Sequence, residues 1–143
     1  MPHSFTKIWI HAIWTTKSRI ELIDYSIEKK VYNLIYDELK ELNCPTRIIN
    51  GMPDHVHTLF LLNSQKSLAD VLKQVKGSVS HALNGSDLLP GKFAWQTGYA
   101  AFSVSESQLQ KVHDYIKNQK NHHSKMNFDE EQKVLLKLHD IKE

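Results

Sequence analysis

The sequence predicts an α+β fold, a ferredoxin-like βαββαβ sandwich with an antiparallel sheet and an additional C-terminal helix. Three observations predict it. Runs rich in β-branched and aromatic residues occupy 5–15 and 46–50, and Val56 to Leu62 is apolar almost throughout. Two long stretches between such runs repeat apolar residues at helical spacing. The elements then follow one another in the order β-α-β-β-α-β, with a helical region to finish. In that topology the first and third strands are adjacent and central, which suits their apolar character.

The first strand is Phe5-Thr6-Lys7-Ile8-Trp9-Ile10-His11-Ala12-Ile13-Trp14-Thr15. From about 25 to 43, Ile27, Val31, Leu34, Ile35, Leu39 and Leu42 mark one face of a helix that Pro45 ends. Thr46 to Asn50 is a short strand, and Gly51-Met52-Pro53-Asp54 turns it into the run Val56 to Leu62. Ser67 caps a second helix with Asp70 three residues on; its stripe is Leu68, Val71, Leu72, Val75, Val79 and Leu83. Asn84-Gly85 stops it. Short extended runs, Lys92 to Trp95 and Tyr99 to Val104, flank Gln96-Thr97-Gly98. Ser105 is expected to open a third helix in a capping box with Gln108, with Leu109, Val112 and Ile116 as its buried stripe. The last helix, about 129–140, carries Leu135, Leu136 and Leu138, which cover apolar surface on their own or a partner subunit.

With 143 residues, the chain is expected to form a single domain, 1–143, that buries about two-thirds of its unfolded surface. No stretch of 18 apolar residues occurs, which argues against a membrane span. No signal sequence opens the chain, so the expected location is the cytoplasm. The lone Cys44 excludes an internal disulfide and a thiolate metal cluster, and its place before Pro45 implies a buried structural role. A net charge of +2 permits nucleic-acid binding without arguing for it, because phosphate binding needs only a local excess.

The most informative motif is Pro53-Asp54-His55-Val56-His57. Strand side chains alternate faces, so His55 and His57 point the same way, roughly 7 Å apart. They are half of a metal site. On the third helix Tyr115 borders the apolar stripe and Gln119 lies one turn further on the same side; Lys111, Asn118 and His122 share that polar flank. A phenol with a pKa near 10 is a poor nucleophile at neutral pH. A divalent cation at a target phosphate would polarise the P–O bond, and a Gln119 amide oxygen qualifies as the third ligand beside two imidazoles. Mg²⁺ prefers oxygen, so Mn²⁺ suits this donor set at least as well.

Together these segments resemble the small single-tyrosine transposases of the HUH superfamily, the TnpA type of bacterial insertion sequences and their REP-associated relatives. The resemblance is carried by His11-Ala12-Ile13-Trp14-Thr15-Thr16-Lys17-Ser18-Arg19, Pro53 to His57, Lys76-Gly77-Ser78, Trp95-Gln96-Thr97-Gly98-Tyr99, Phe102-Ser103-Val104-Ser105 and Tyr115-Ile116-Lys117-Asn118-Gln119. It implies binding of single-stranded DNA hairpins at element ends, cleavage and strand transfer through a 5′-phosphotyrosine, and a homodimer whose active sites are shared between subunits. By position, Tyr115 would be the nucleophile, with His55, His57 and Gln119 holding Mg²⁺ or Mn²⁺. Ser18 departs from the aromatic that many relatives place between the Lys and Arg of the first motif.

Lys17, Arg19, Lys73 and Lys76 are candidate DNA contacts, with Ser80 on the same side of the second helix as the last two. His11 either borders the metal or is a satisfied core histidine. Trp9, Trp14 and Trp95 could stack on unpaired bases but fit core packing better. His122 and His123 fit a solvated helix end, and His81, His113 and His139 support no specific reading. A histidine-triad nucleotide hydrolase is excluded because Leu59 stands where a third histidine is needed. Replication initiators with the same histidine pair are generally larger. A domesticated protein that binds hairpins without cutting them is the alternative of another class.

Overall fold

The structure is a computed structural model that describes residues 4–122 and 128–139. Its elements are β1 (Trp9–Thr15), α1 (Glu28–Glu41), β2 (Thr46–Met52), β3 (His55–Leu61), α2 (Leu68–Asn84), β4 (Ala100–Val104), α3 (Leu109–Lys117), α4 (Gln119–His122) and α5 (Phe128–Leu138). The four strands form one antiparallel sheet in the order β2-β3-β1-β4. The expected α+β architecture is therefore present, with the first and third strands paired at its centre.

Alternation along β1 divides the interior in two. Ile10, Ala12 and Trp14 face one side, where they join Val56 and Phe60 of β3 and the buried stripes of α1 and α2. Cys44 lies in this core too, and burial pushes its thiol up. On the other side, Leu59 and Val104 meet Leu109, Val112 and Ile116 of α3. Trp14 is buried, and Trp95 packs against it edge-on at 5.9 Å. Because both faces are covered, β3 has no solvent side, and its apolar run needs no polar alternation.

Ser67 caps α2 as expected, its hydroxyl accepting from the Asp70 amide at 3.1 Å. The expected capping box at Ser105 does not form. A 3₁₀ turn, Glu106–Gln108, precedes α3, and the Gln108 amide bonds the Ser105 carbonyl in place of its hydroxyl. Residues 92–95 do not join the sheet: among the described residues Trp95 makes only an isolated bridge to Thr16. Asn84 holds that segment from α2 by bonding both the amide and the carbonyl of Phe93, at 2.7 and 2.9 Å. The expected end of the last helix at 140, and His123, lie outside the described residues.

The β2–β3 hairpin is tight enough to demand glycine. A Cβ at Gly51 would sit 2.2 Å from the His55 carbonyl oxygen and 2.9 Å from Val56 Cα, both backbone atoms that cannot rotate away. Gly51→Ala must push the two strands apart exactly where the histidine strand begins. The expected cost is about 1–3 kcal/mol, read as a lower urea midpoint at unchanged slope.

Candidate active site

Register places the histidines. His55 pairs with Thr15 and His57 with Ile13 across the β3–β1 ladder, on the face that α3 covers. His11 pairs with Leu59, one diagonal step from His57, a separation that ring side chains can span. All three histidines are fully buried.

Tyr115 and Gln119 are brought to the pair by backbone fixings. The Asn50 side chain donates to the Ile116 and Lys117 carbonyls at 3.0 and 3.2 Å, satisfying the last turn of α3 from the neighbouring strand. The helix then breaks at Asn118, whose side chain donates to the Asp114 carbonyl, so Gln119 opens a separate short helix instead of continuing α3. Lys120 anchors that helix, donating to Asn50 Oδ1 at 3.0 Å and to the Gly51 carbonyl, with Glu28 at 3.1 Å. Despite the break, Tyr115 and Gln119 converge. The Tyr115 ring lies 5.9 Å from that of His57, centroid to centroid, in the same chain. A site shared between subunits is thus not required to bring the phenol to the histidines.

A residue absent from the sequence reading stands at the centre. Glu131 of α5 is fully buried. Its Oε1 lies 2.9 Å from His57 Nε2 and accepts from the Tyr115 hydroxyl at 2.8 Å and the Gln119 amide at 2.9 Å. Its Oε2 lies 3.2 Å from His55 Nε2. Burial alone would raise the Glu131 carboxyl, but bonds to His55 and His57 hold it well below the usual carboxylate range. Burial works against a charged His55, yet Asp54 and Glu131 raise it to about 9. For Tyr115, burial and the adjacent Glu131 carboxylate push the phenol up. The available signal was a carboxylate at i−4 from Leu135, on the helix face that buries that leucine.

The far side of each ring is also engaged. His55 Nδ1 lies 2.6 Å from Asp54 Oδ1. His57 Nδ1 lies 2.9 Å from His11 Nε2, and His11 Nδ1 lies 2.8 Å from His139 Nε2. Burial, with His57 and His139 alongside, holds His11 well below its ordinary value.

The donor set suits a divalent cation. Ligand atoms of His55, His57 and Glu131 all lie within 4.8 Å of one another. Gln119 Oε1 is buried and has no hydrogen-bond partner among the described residues, which leaves it a lone pair to donate. Two imidazoles with oxygen donors match Mn²⁺ at least as well as Mg²⁺.

The basic candidates lie elsewhere, around the 96–99 loop. Lys17 is exposed, and Arg19 pairs with Asp129 at 2.9 Å. A cavity of about 510 Å³ is lined by Lys73, Lys76, Ser80 and Lys92 together with that loop. A second, of about 560 Å³, lies on the other side, with Arg19, Tyr99, Phe102 and Leu135 in its walls. Lys76 Nζ donates to the Gln96 and Gly98 carbonyls at 2.9 and 2.8 Å, so it is first a clamp on the loop. Burial lowers its ammonium below the ordinary lysine value.

Residues 4–119 match the family described as IS200-like transposases. That stretch holds His11, His55, His57, Tyr115 and Gln119 and stops short of Glu131. The chain is similar to the ISDra2 transposase TnpA of Deinococcus radiodurans, 25% identical over 114 residues that cover 76% of this chain and 81% of that protein. A candidate transposase from D. radiodurans R1, solved as a crystal structure, shares the fold with a TM-score of 0.64 at 24% identity, over 81% of this chain and 93% of that one. A REP-associated tyrosine transposase bound to a REP hairpin has a TM-score of 0.60 at 16% identity, over 85% and 72% of the two chains.

Removing the loop clamp has a local signature. Lys76→Met keeps the side-chain stem and deletes both bonds to the carbonyls. Amide exchange at 96–99 is expected to accelerate, while global stability falls by only about 1 kcal/mol. Unchanged exchange would show that the loop is held by other contacts.

Proposed function

This chain belongs to the IS200-like transposase family, and on that premise we propose that it cuts and rejoins single-stranded DNA through a phosphotyrosine, with hairpins at element ends as substrate. One observation carries the reading: the Tyr115 hydroxyl, the His55 and His57 Nε2 atoms and the Gln119 amide meet on one buried carboxylate.

The Tyr115 phenol needs help to react, because its environment raises its pKa. The Glu131 carboxylate accepts its hydrogen bond and so orients the phenol, while its own low proton affinity leaves it a hydrogen-bond acceptor and not the final holder of that proton. Tyr115 Oη forms a bond to the scissile phosphorus and gives up its proton, the P–O3′ bond breaks, and the departing 3′ oxygen takes up one proton to become a free hydroxyl, so the step is neutral in protons overall. The 5′ phosphate stays on Tyr115 until another 3′-hydroxyl reverses the step. A divalent cation, Mg²⁺ or Mn²⁺, held by His55, His57, Glu131 and Gln119 would polarise the phosphate and offset the charge that develops on it. Asp54, bonded to His55, keeps that ring turned toward the site.

Arg19, Lys73 and Lys76 line the cavities that share the 96–99 loop, and with exposed Lys17 they supply the cationic surface a phosphate backbone requires. Tyr99 is 44% exposed there and offers a stacking face to an unpaired base. A fold neighbour bound to a REP hairpin supports that class of substrate. Homodimerisation belongs to the same reading, and sedimentation at micromolar concentration tests it; a fully active monomer would remove it.

A second reading has one observation in its favour. His55, His57, Gln119 and Glu131, the last carried by α5, have no exposed surface, so a phosphate reaches them only if the elements packed over them, α5 among them, shift. A protein in which they never shift would bind hairpins without cutting them. A labelled hairpin oligonucleotide incubated with Mn²⁺ or Mg²⁺ and run on a denaturing gel separates the two. The expected result is a covalent adduct that Tyr115→Phe abolishes. His55→Ala and His57→Ala should lower cleavage by about 100-fold or more while hairpin affinity stays within about threefold. Tight binding with no adduct under either metal would establish the second reading.

A further inference from the structure

The two proposed imidazole ligands are braced differently. His55 Nδ1 faces a carboxylate, Asp54 Oδ1 at 2.6 Å. His57 Nδ1 faces another imidazole, His11 Nε2 at 2.9 Å, and His11 Nδ1 faces a third, His139 Nε2 at 2.8 Å. The row of rings is also packed face to face at two points. His11 and His57 stack at 5.2 Å between centroids, and His139 lies flat on Phe102, 4.1 Å away with 9° between the rings. His11 has no exposed surface, so both its nitrogens depend on these two partners.

An imidazole–imidazole hydrogen bond needs a proton on one nitrogen and a lone pair on the other. In the metal-free chain His57 Nε2 directs a proton to Glu131 Oε1 at 2.9 Å; for a cation to take that proton's place, His57 must hold its remaining proton on Nδ1 and present a lone pair at Nε2. His11 Nε2 then accepts that proton's hydrogen bond, the His11 proton sits on Nδ1, and His139 Nε2 accepts in turn. The three tautomers are set together. A ring at position 11 protonated on Nε2 would force His57 to carry its own proton on Nε2, where the lone pair is needed.

We infer that His11 is a positioning residue that fixes the metal-ready tautomer of His57, with His139 as the far end of the same chain. The inference rests on the reading of His55 and His57 as ligands. It extends that site from β3 to β1 and to the residue that follows α5, beyond the stretch shared with the family.

The full chain without DNA provides the test. Mn²⁺ affinity is measured by titration calorimetry, and the ring nitrogens of His57 are followed by ¹⁵N NMR with diamagnetic Zn²⁺. His11→Phe keeps a ring but cannot accept, and is expected to weaken Mn²⁺ binding by about 10- to 100-fold and to erase the Nδ1-protonated signal of His57. His11→Asn can accept from His57 and donate to His139, so binding should return to within about threefold of the parent. His139→Phe, at a half-buried position, removes the last acceptor with less risk to folding and should broaden the His57 tautomer signal and weaken Mn²⁺ binding severalfold. Loss of binding in His57→Ala together with parental affinity and tautomer in His11→Phe or His139→Phe would overturn this inference alone. Equal binding by the parent and His57→Ala would overturn the metal reading, and this inference with it.

Discussion

A buried carboxylate is costly unless its oxygens are met by donors or cationic groups, and the architecture around Glu131 meets that requirement. Two imidazole nitrogens, a phenol hydroxyl and an amide converge on it from β3, α3 and α4. None of the four groups would be held so firmly without it. Tyr115 would turn at the edge of its apolar stripe, and the Gln119 amide would lose its acceptor. The carboxylate therefore orders the site even before any cation is considered, and it ties the last helix to the centre of the sheet.

That ordering works because the supports are backbone-directed. Asn50 binds the final carbonyls of α3, Lys120 grips the Gly51 carbonyl, and Lys76 grips two carbonyls of the 96–98 loop. Each polar side chain satisfies groups that element ends leave open. The Asn50 and Lys120 contacts also set where Tyr115 and Gln119 stand. The histidine strand is the most constrained element, with cores packed on both its faces and a glycine forced at its entrance.

The position of α5 creates the main tension between structure and activity. It completes the constellation with Glu131, and its Leu135, one turn on, is also buried. Arg19 tethers the start of this helix through Asp129, and His139 binds the far end to His11. Of the two cavities that share the 96–99 loop, one is walled by this helix through Gln132, Leu135 and Leu136, and the other is lined from α2 and residues 92–95.

Much of this was legible in the amino-acid order. Periodicity determined the elements, the two-residue spacing of His55 and His57 set them on one face, and the four-residue spacing of Tyr115 and Gln119 placed them near each other. Local polar chemistry went further astray: backbone bonding replaced the expected cap at Ser105, and Asn118 broke the helix that spacing alone would have continued. Glu131 meets partners 12 to 76 positions away, and the His11 contacts to His57 and His139 span 46 and 128 positions, so no local pattern encodes them. Sequence settled which side chains are available and which face each takes, because those depend on neighbours a few residues away. Only the folded chain decided which of them meet, because strand register and the docking of one last helix bring remote groups to a single carboxylate.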